Sequence, residues 1–376
     1  MVYLDYNATT PVATEVLDKM LPYFSEKFGN ASSSTHPFGW KAKEAVDISR
    51  SIIAQSLGCI DEEITFTSGA TESINTVLKG IFNLYHTKGK HIITSKTEHN
   101  AVLDTCEFLK KKGADITYLD VDKNGIINIE DLKNAIRKDT ILVAIMYVNN
   151  ETGIIQNIKE ISNITHQNKS IFFCDATQAY GKLPINVDDL GIDALCISGH
   201  KIYGPKGIGI LYLRRKNPRV IVEPLMHGGH HERGVRSGTI NVPSIVGIGK
   251  AAELAYKNLA NNHLKIEQLR NYLEDGLKGI FKEKIQIIGE QANRIFNTSS
   301  VIFPMRSEHI IRHIKNDIAV SVGSACSSDK NLPSHVLTAM GYKKEEALSS
   351  IRFSLGNDTT KEEIDFVLEQ FSTINY

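Results

Sequence analysis

Seven short apolar runs rich in β-branched residues, spaced by segments of helical periodicity, constrain this chain to one class of fold. The runs are Ile64–Thr67, His91–Thr94, Ile116–Leu119, Ile141–Val148, Ile171–Cys174, Ala194–Ile197 and Ile208–Leu213, and each reads as a strand. Between the second and third, Glu98–Lys112 sets Val102, Leu103, Cys106 and Leu109 at helical spacing. Strand–helix repetition of this kind predicts an α/β fold with a mostly parallel sheet covered on both faces. Ligands bind such sheets beyond the carboxyl ends of the strands, so chemistry-bearing residues are expected just after the apolar runs.

Beyond about Gly249 the texture changes. A long helical stretch, roughly Ile248 to Lys278, contains no proline, and shorter strands and helices follow, ending with Thr360–Phe371. At 376 residues the chain exceeds what one hydrophobic core usually supports. A large domain over 13–256 is therefore expected, with 1–12 and 257–376 forming a smaller α+β domain. Lys+Arg and Asp+Glu are equal at 43 each, which gives no global pull toward nucleic acid or a membrane surface. No apolar run approaches the roughly 20 residues of a membrane span, and the start, MVYLDYNATT, lacks the features of a secretory signal. Cysteines stand only at 59, 106, 174, 196 and 326, which suits a reducing compartment, so a cytoplasmic protein is expected.

The apolar run IFFC ends at Asp175, and Lys201 follows 26 residues on, within SGHKIYGPKG. One crossover between neighbouring strands spans that distance and brings a carboxylate and an amine to the same rim. Enzymes that use pyridoxal 5′-phosphate (PLP) need such a pair, a lysine to form the Schiff base and an acid to keep the ring nitrogen protonated. A strand-end Asp and a solvent-facing Lys are the ordinary reading of any single pair; the small residues around both, which let a flat ring approach the backbone, favour the cofactor. Ser68-Gly69-Ala70-Thr71-Glu72-Ser73 follows another strand and opens a helix. It serves equally as a phosphate cradle or as a helix cap. His99 at the next helix start is placed to stack on a ring and relay protons, or to act structurally. Asn149 and Asn150 fall after the Ile141–Val148 run, again at the expected rim.

Cys326 differs from the other cysteines, which sit in apolar strand or helix contexts or, for Cys59, just before Ile60. Its surroundings, VGSACSSDKNLP, are small and polar without periodicity, the composition of a mobile, exposed loop. Composition leaves a reactive thiol and an incidental surface thiol equally open. His227, His230 and His231 in MHGGHHERG have no further Cys or His to complete a ligand set, so no metal site is expected there. Arg233, Arg236 and Thr239, which follow, are candidates to reach a phosphate.

Taken in order, YLDYNATTP, TSGATES, TEHNAVLDTC, VNNETG, DATQAYGKLPI, SGHKIYGPKG, ERGVRSGT, GSACSS and IRFSLG resemble the PLP-dependent cysteine desulfurases of iron–sulfur cluster assembly, within the class V aminotransferases, over nearly the whole chain. The resemblance implies a PLP-dependent transferase of fold type I, its large domain built on a seven-stranded sheet, acting as a homodimer. It implies Lys201 as the Schiff-base lysine, Asp175 at the ring nitrogen, His99 stacked on the ring, and Asn149 and Gln178 on the ring's hydroxyl side. Ala70, Thr71, Ser198 and His200 would bind the phosphate, with Thr239 reaching over from the partner subunit. Arg352 would grip the carboxylate of substrate L-cysteine, beside Asn149, and Cys326 would accept the sulfur.

The reaction so implied turns cysteine into alanine. Cys326 carries the sulfur as a persulfide to a scaffold protein or another acceptor, tRNA-thiolation proteins included. No resident metal is implied; a transient cluster on Cys326 is left open. Selenocysteine lyase activity and a non-catalytic sulfur-relay or scaffold-binding role are the alternatives. The chain departs from the family pattern at Ala31, at Phe303–Glu308 and at Val322, none of them in the implied chemistry. Housekeeping members usually continue beyond the equivalent of Tyr376 with an extension that helps dock the scaffold.

Overall fold

The structure, a computed structural model, describes residues 1–322 and 332–375, so Cys326 lies outside the described residues. All seven apolar runs form one sheet, in the order Ile64–Thr67, Gly209–Leu213, Ala194–Ser198, Ile171–Asp175, Thr140–Met146, His91–Ser95 and Asp115–Leu119. The five strands from Ala194–Ser198 to Asp115–Leu119 pair in parallel. Gly209–Leu213 runs antiparallel to both of its neighbours. Every strand but this one therefore ends on the same rim, and Gly209 starts there.

Period-two alternation divides the core into two layers. Ile92, Leu142, Ala144 and Phe173 pack with residues of the helices Ala70–Tyr85 and Asn100–Lys111. Their neighbours Ile93, Val143, Ile145 and Phe172 join a second cluster with Pro37–Leu57 and Val242–Lys257. Except for the edge strand Asp115–Leu119, the strands are buried along their whole length, which is why they read as continuous apolar runs.

The long helical stretch is two helices, Val242–Lys257 and Leu259–Phe281, interrupted at Asn258 (φ −103°, ψ 5°). The first packs on Pro37–Leu57 and the second on Lys361–Ser372. Ser350–Ser354, Thr298–Ile302 and Gln286–Ile287 form an antiparallel sheet. The final helix begins at a capping box in which Thr360 and Glu363 satisfy each other's backbone N–H groups. At the N-terminus, Val2–Tyr3 pairs with Ile318–Ala319. The chain then crosses to the rim of the large sheet, where Thr10 N–H donates to His200 O at 3.0 Å. Among the described residues no helix is long and apolar enough to cross a membrane.

Candidate active site

A cleft of about 590 Å³ opens at that rim. The Ala194–Ser198 strand runs into a single tight turn, Gly199–Lys201, and Tyr203 then takes a left-handed backbone (φ 64°), a conformation sparsely used by bulky residues outside strained sites. Lys201 lines the cleft, and its Nζ donates to Asn7 O (2.6 Å) and Ala8 O (2.7 Å). Asp175, at the end of the adjacent strand, also lines it. One of its carboxylate oxygens accepts from Thr177 N–H (2.9 Å) and Cys196 Sγ (3.3 Å).

Opposite, the helix Ala70–Tyr85 starts at Gly69 without a side-chain cap, so its first N–H groups and its positive dipole end are available to an anion. Ala70, Thr71, Ser198 and His200 line the cleft around this end. Close backbone approach forms the cradle: a Cβ on Gly209 would stand 2.5 Å from Gly69 Cα. Glu72 also lines the cleft, its carboxylate accepting from Ser68 N–H (2.8 Å) and pairing with Arg236 (3.0 Å). Burial, with Lys201 and Lys206 nearby, pushes the His200 imidazole down to about 4. It is neutral at physiological pH, with Nδ1 3.1 Å from Thr9 Oγ1.

His99 caps the helix Asn100–Lys111, its Nδ1 accepting from Ala101 N–H at 3.1 Å, and it lines the cleft. Beneath it Glu98 is buried, one oxygen accepting from Met146 N–H (2.8 Å) and Ser95 (3.2 Å), the other unpartnered among the described residues. Burial raises its carboxyl well above the usual range, and the negative Asp175 adds to the rise. Gln178 lines the cleft, donating to Asn7 O at 3.0 Å. Arg352 lines it too, held by Asp5 (2.6 Å) and Asn150 O (2.9 Å), while its Nε–H is buried and unpartnered among the described residues.

The structure separates the two asparagines. Asn149 turns inward, its Oδ1 accepting from Glu151 N–H and Thr152 N–H (both 2.9 Å) and its amide donating to Thr97 O (3.0 Å). Asn149 builds the turn, and Asn150 lines the cleft. Three contributors escaped sequence reasoning. Asn7 binds residues from both sides of the cleft; Glu151 accepts from Ser334 at 2.5 Å; His335 lines the cleft with Nε2 3.0 Å from Glu98 O. Their recruitment depends on long-range packing: although Asn7 and Glu151 lie within YLDYNATTP and VNNETG, nothing local to those runs marks them as lining the cleft.

Thr239 is exposed and does not line its own chain's cleft. Nor do the two arginines, Arg236 being tied to Glu72 and Arg233 donating to Ile64 O (2.5 Å). His227 and His230 are exposed. Of the described cysteines, burial pushes the Cys59 and Cys106 thiols up to about 12, and those of Cys174 and Cys196 well above their usual value. All four are protonated and poor nucleophiles.

An amine and a carboxylate on neighbouring strands, facing an uncapped helix start across a cleft, define an enzyme site for a flat, phosphorylated carbonyl cofactor. The chain belongs to the aminotransferase class V family, whose model matches residues 2–367. It is 51% identical over 371 residues to cysteine desulfurase IscS of Escherichia coli (strain K12 / DH10B), covering 98% of this chain and 91% of that protein. Among solved structures, a NifS-like protein superposes with TM-score 0.92 at 38% identity, covering 99% of this chain and 98% of that one. The structure described as SspA in complex with cysteine gives TM-score 0.83 at 40% identity, covering 94% and 99%. The cofactor of this family is PLP, and the residues present fit it: the uncapped helix start at Ala70, with Ser198 and His200 lining the same cleft, offers N–H donors to a phosphate, and Asp175 and Lys201 line that cleft as well.

Proposed function

We propose that this protein is a cysteine desulfurase that converts L-cysteine to L-alanine and passes the sulfur, as a persulfide on Cys326, to acceptor proteins for iron–sulfur cluster assembly. The observation that carries the reading is the joint placement of Lys201, Asp175, the uncapped helix at Ala70 and Arg352 around one cleft. Bound PLP supplies an electron sink for the pair released when the substrate Cα–H bond breaks.

The chain's own groups do the rest. The Arg352 guanidinium, fixed by Asp5 and Asn150 O, offers its unpartnered Nε–H and remaining donors to the substrate carboxylate. Lys201 takes the Cα proton, its amine already oriented by the two carbonyls of Asn7 and Ala8. Asp175 would hold the ring nitrogen's proton, Gln178 and Asn150 would meet the ring's hydroxyl side, and His99 would cover the ring. Ala70, Thr71, Ser198 and neutral His200 would hold the phosphate, with Thr239 supplied by a second copy of the chain. The Cys326 thiolate attacks the substrate sulfur, the Cβ–S bond breaks, the electron pair left on Cβ is protonated, and Lys201 returns a proton to Cα to give alanine.

A homodimer is supported by the exposure of Thr239 away from its own cleft, and by the exposed Phe24, Phe28, Phe38 and Trp40. The interruption at Asn258 and the pairing of Val2–Tyr3 with Ile318–Ala319 support a division at 13–256, with 1–12 and 257–376 together. Five widely spaced cysteines support a cytoplasmic setting. To test the reading, the PLP-loaded protein is treated with cysteine and its peptides are examined by mass spectrometry. One extra sulfur on Cys326, lost in Cys326→Ala, is expected; a persulfide elsewhere, or none, would overturn the role given to Cys326.

A further inference from the structure

Behind Lys201 lies a second cavity, of about 440 Å³, walled by the N-terminal segment, the start of the Leu259–Phe281 helix and the Leu355–Asp358 stretch. Lys182 and Lys201 both line it. Lys182 stands in the wall between this cavity and the cleft, and among the described residues no carboxylate pairs with it. Its Nζ donates instead to Gln178 Oε1 (2.9 Å) and Asn7 Oδ1 (3.4 Å). Burial, with the cations Lys201 and Arg352 nearby, brings its amine down to about 7. An amine is costly in such a place, and the proposed reaction gives it no role.

Its contacts explain what it does there. The Gln178 amide has two N–H donors and one carbonyl. One N–H goes to Asn7 O (3.0 Å), and the carbonyl faces Lys182. Rotating the amide by half a turn would set its carbonyl against Asn7 O and, whenever Lys182 carries its proton, its N–H groups against the ammonium, replacing two hydrogen bonds with two repulsive contacts. Protonated Lys182 therefore favours the orientation in which one Gln178 N–H bonds Asn7 O and the second, with no partner among the described residues, is left for the cleft that Gln178 lines. Asn7 is bound into the same arrangement: its main-chain carbonyl accepts from both Gln178 and Lys201, and its Oδ1 from Lys182 and Asn297 (3.1 Å).

We propose that Lys182 is a positioning residue for the cofactor: it holds the Gln178 amide so that an N–H faces the cofactor's hydroxyl edge. This rests on the cofactor placement proposed above.

The test is a double-mutant cycle read as PLP affinity. Apoprotein is titrated with PLP and the visible absorbance of the bound cofactor is followed, for wild type, Lys182→Met, Gln178→Ala and the double variant. Loss of one charge-assisted hydrogen bond predicts about tenfold weaker binding in each single variant. Because the lysine acts through Gln178, the double variant is expected to bind about as weakly as either single one. Lys182→Arg, which restores a cationic donor, is expected within about threefold of wild type. Lys182→Gln carries the same comparison if the methionine variant does not fold. Unchanged affinity in the Lys182 variants, or an additive loss of about a hundredfold in the double variant, would overturn the inference. A wild-type apoprotein that takes up no PLP would overturn the cofactor placement itself.

Discussion

The substitution Glu98→Gln tests whether the carboxyl beneath the cleft is neutral. Glu98 is buried, one of its oxygens has no partner among the described residues, and the Asp175 carboxylate raises its proton affinity further. Two ionised carboxylates there would compete for the charge that the ring nitrogen needs. In the unfolded chain the group titrates near about 4.3, whereas the folded protein keeps the proton. Over the window between the two values the folded state binds more protons than the unfolded one, so stability falls as pH rises, by up to about 1.4 kcal/mol per unit. Above about pH 5, where the unfolded group is already ionised, wild type therefore loses stability with rising pH until the folded group ionises too. The amide of the Glu98→Gln variant does not titrate and loses none of it. Its extra N–H at the unpartnered position costs roughly 1–3 kcal/mol, but that offset does not vary with pH. Urea unfolding of both apoproteins across this range is expected to give curves that converge or cross as pH rises. Parallel curves would mean that Glu98 is ionised in the native state, and the reasoning would fail.

Gly209→Ala would drive a Cβ into the Gly69 backbone, 2.5 Å from its Cα, and is expected to weaken PLP binding about 10- to 100-fold by fluorescence titration, for a strain of about 1–3 kcal/mol. Arg352→Lys loses the planar fork held by Asp5 and Asn150 O; the KM for cysteine should rise about tenfold or more while the cofactor's absorbance is retained. Asn149→Ala removes the acceptor of two turn N–H groups and is expected to cost about 2 kcal/mol of stability in denaturant melts. Asn150→Ala is expected to leave stability nearly unchanged and to lower kcat/KM.

The strands were legible because each central one is buried on both faces and reads as an uninterrupted β-branched run. The Asp175–Lys201 pair was legible because one crossover separates them on adjacent strands. The choice between Asn149 and Asn150 was not. It is set by a turn in which Gly153 N–H donates to Asn149 O and Asn149 N–H to Ile154 O, and no local propensity distinguishes two adjacent asparagines. Asn7 and Lys182 escaped notice for another reason. Their partners lie on both sides of the cleft, 291 residues apart in sequence for Asn7 and Thr298, and only the closed fold brings them together. Arg233 and Arg236 looked like phosphate ligands from their spacing, but backbone carbonyls and Glu72 engage them first.

The most direct measurement follows alanine, sulfide and pyruvate from L-cysteine, with reductant present, in the PLP-loaded wild-type and Lys201→Ala proteins. Equal amounts of alanine and sulfide from wild type, and neither from the Lys201 variant, are the result predicted here. Alanine release that survives the loss of Lys201, or pyruvate in place of alanine, would contradict the account.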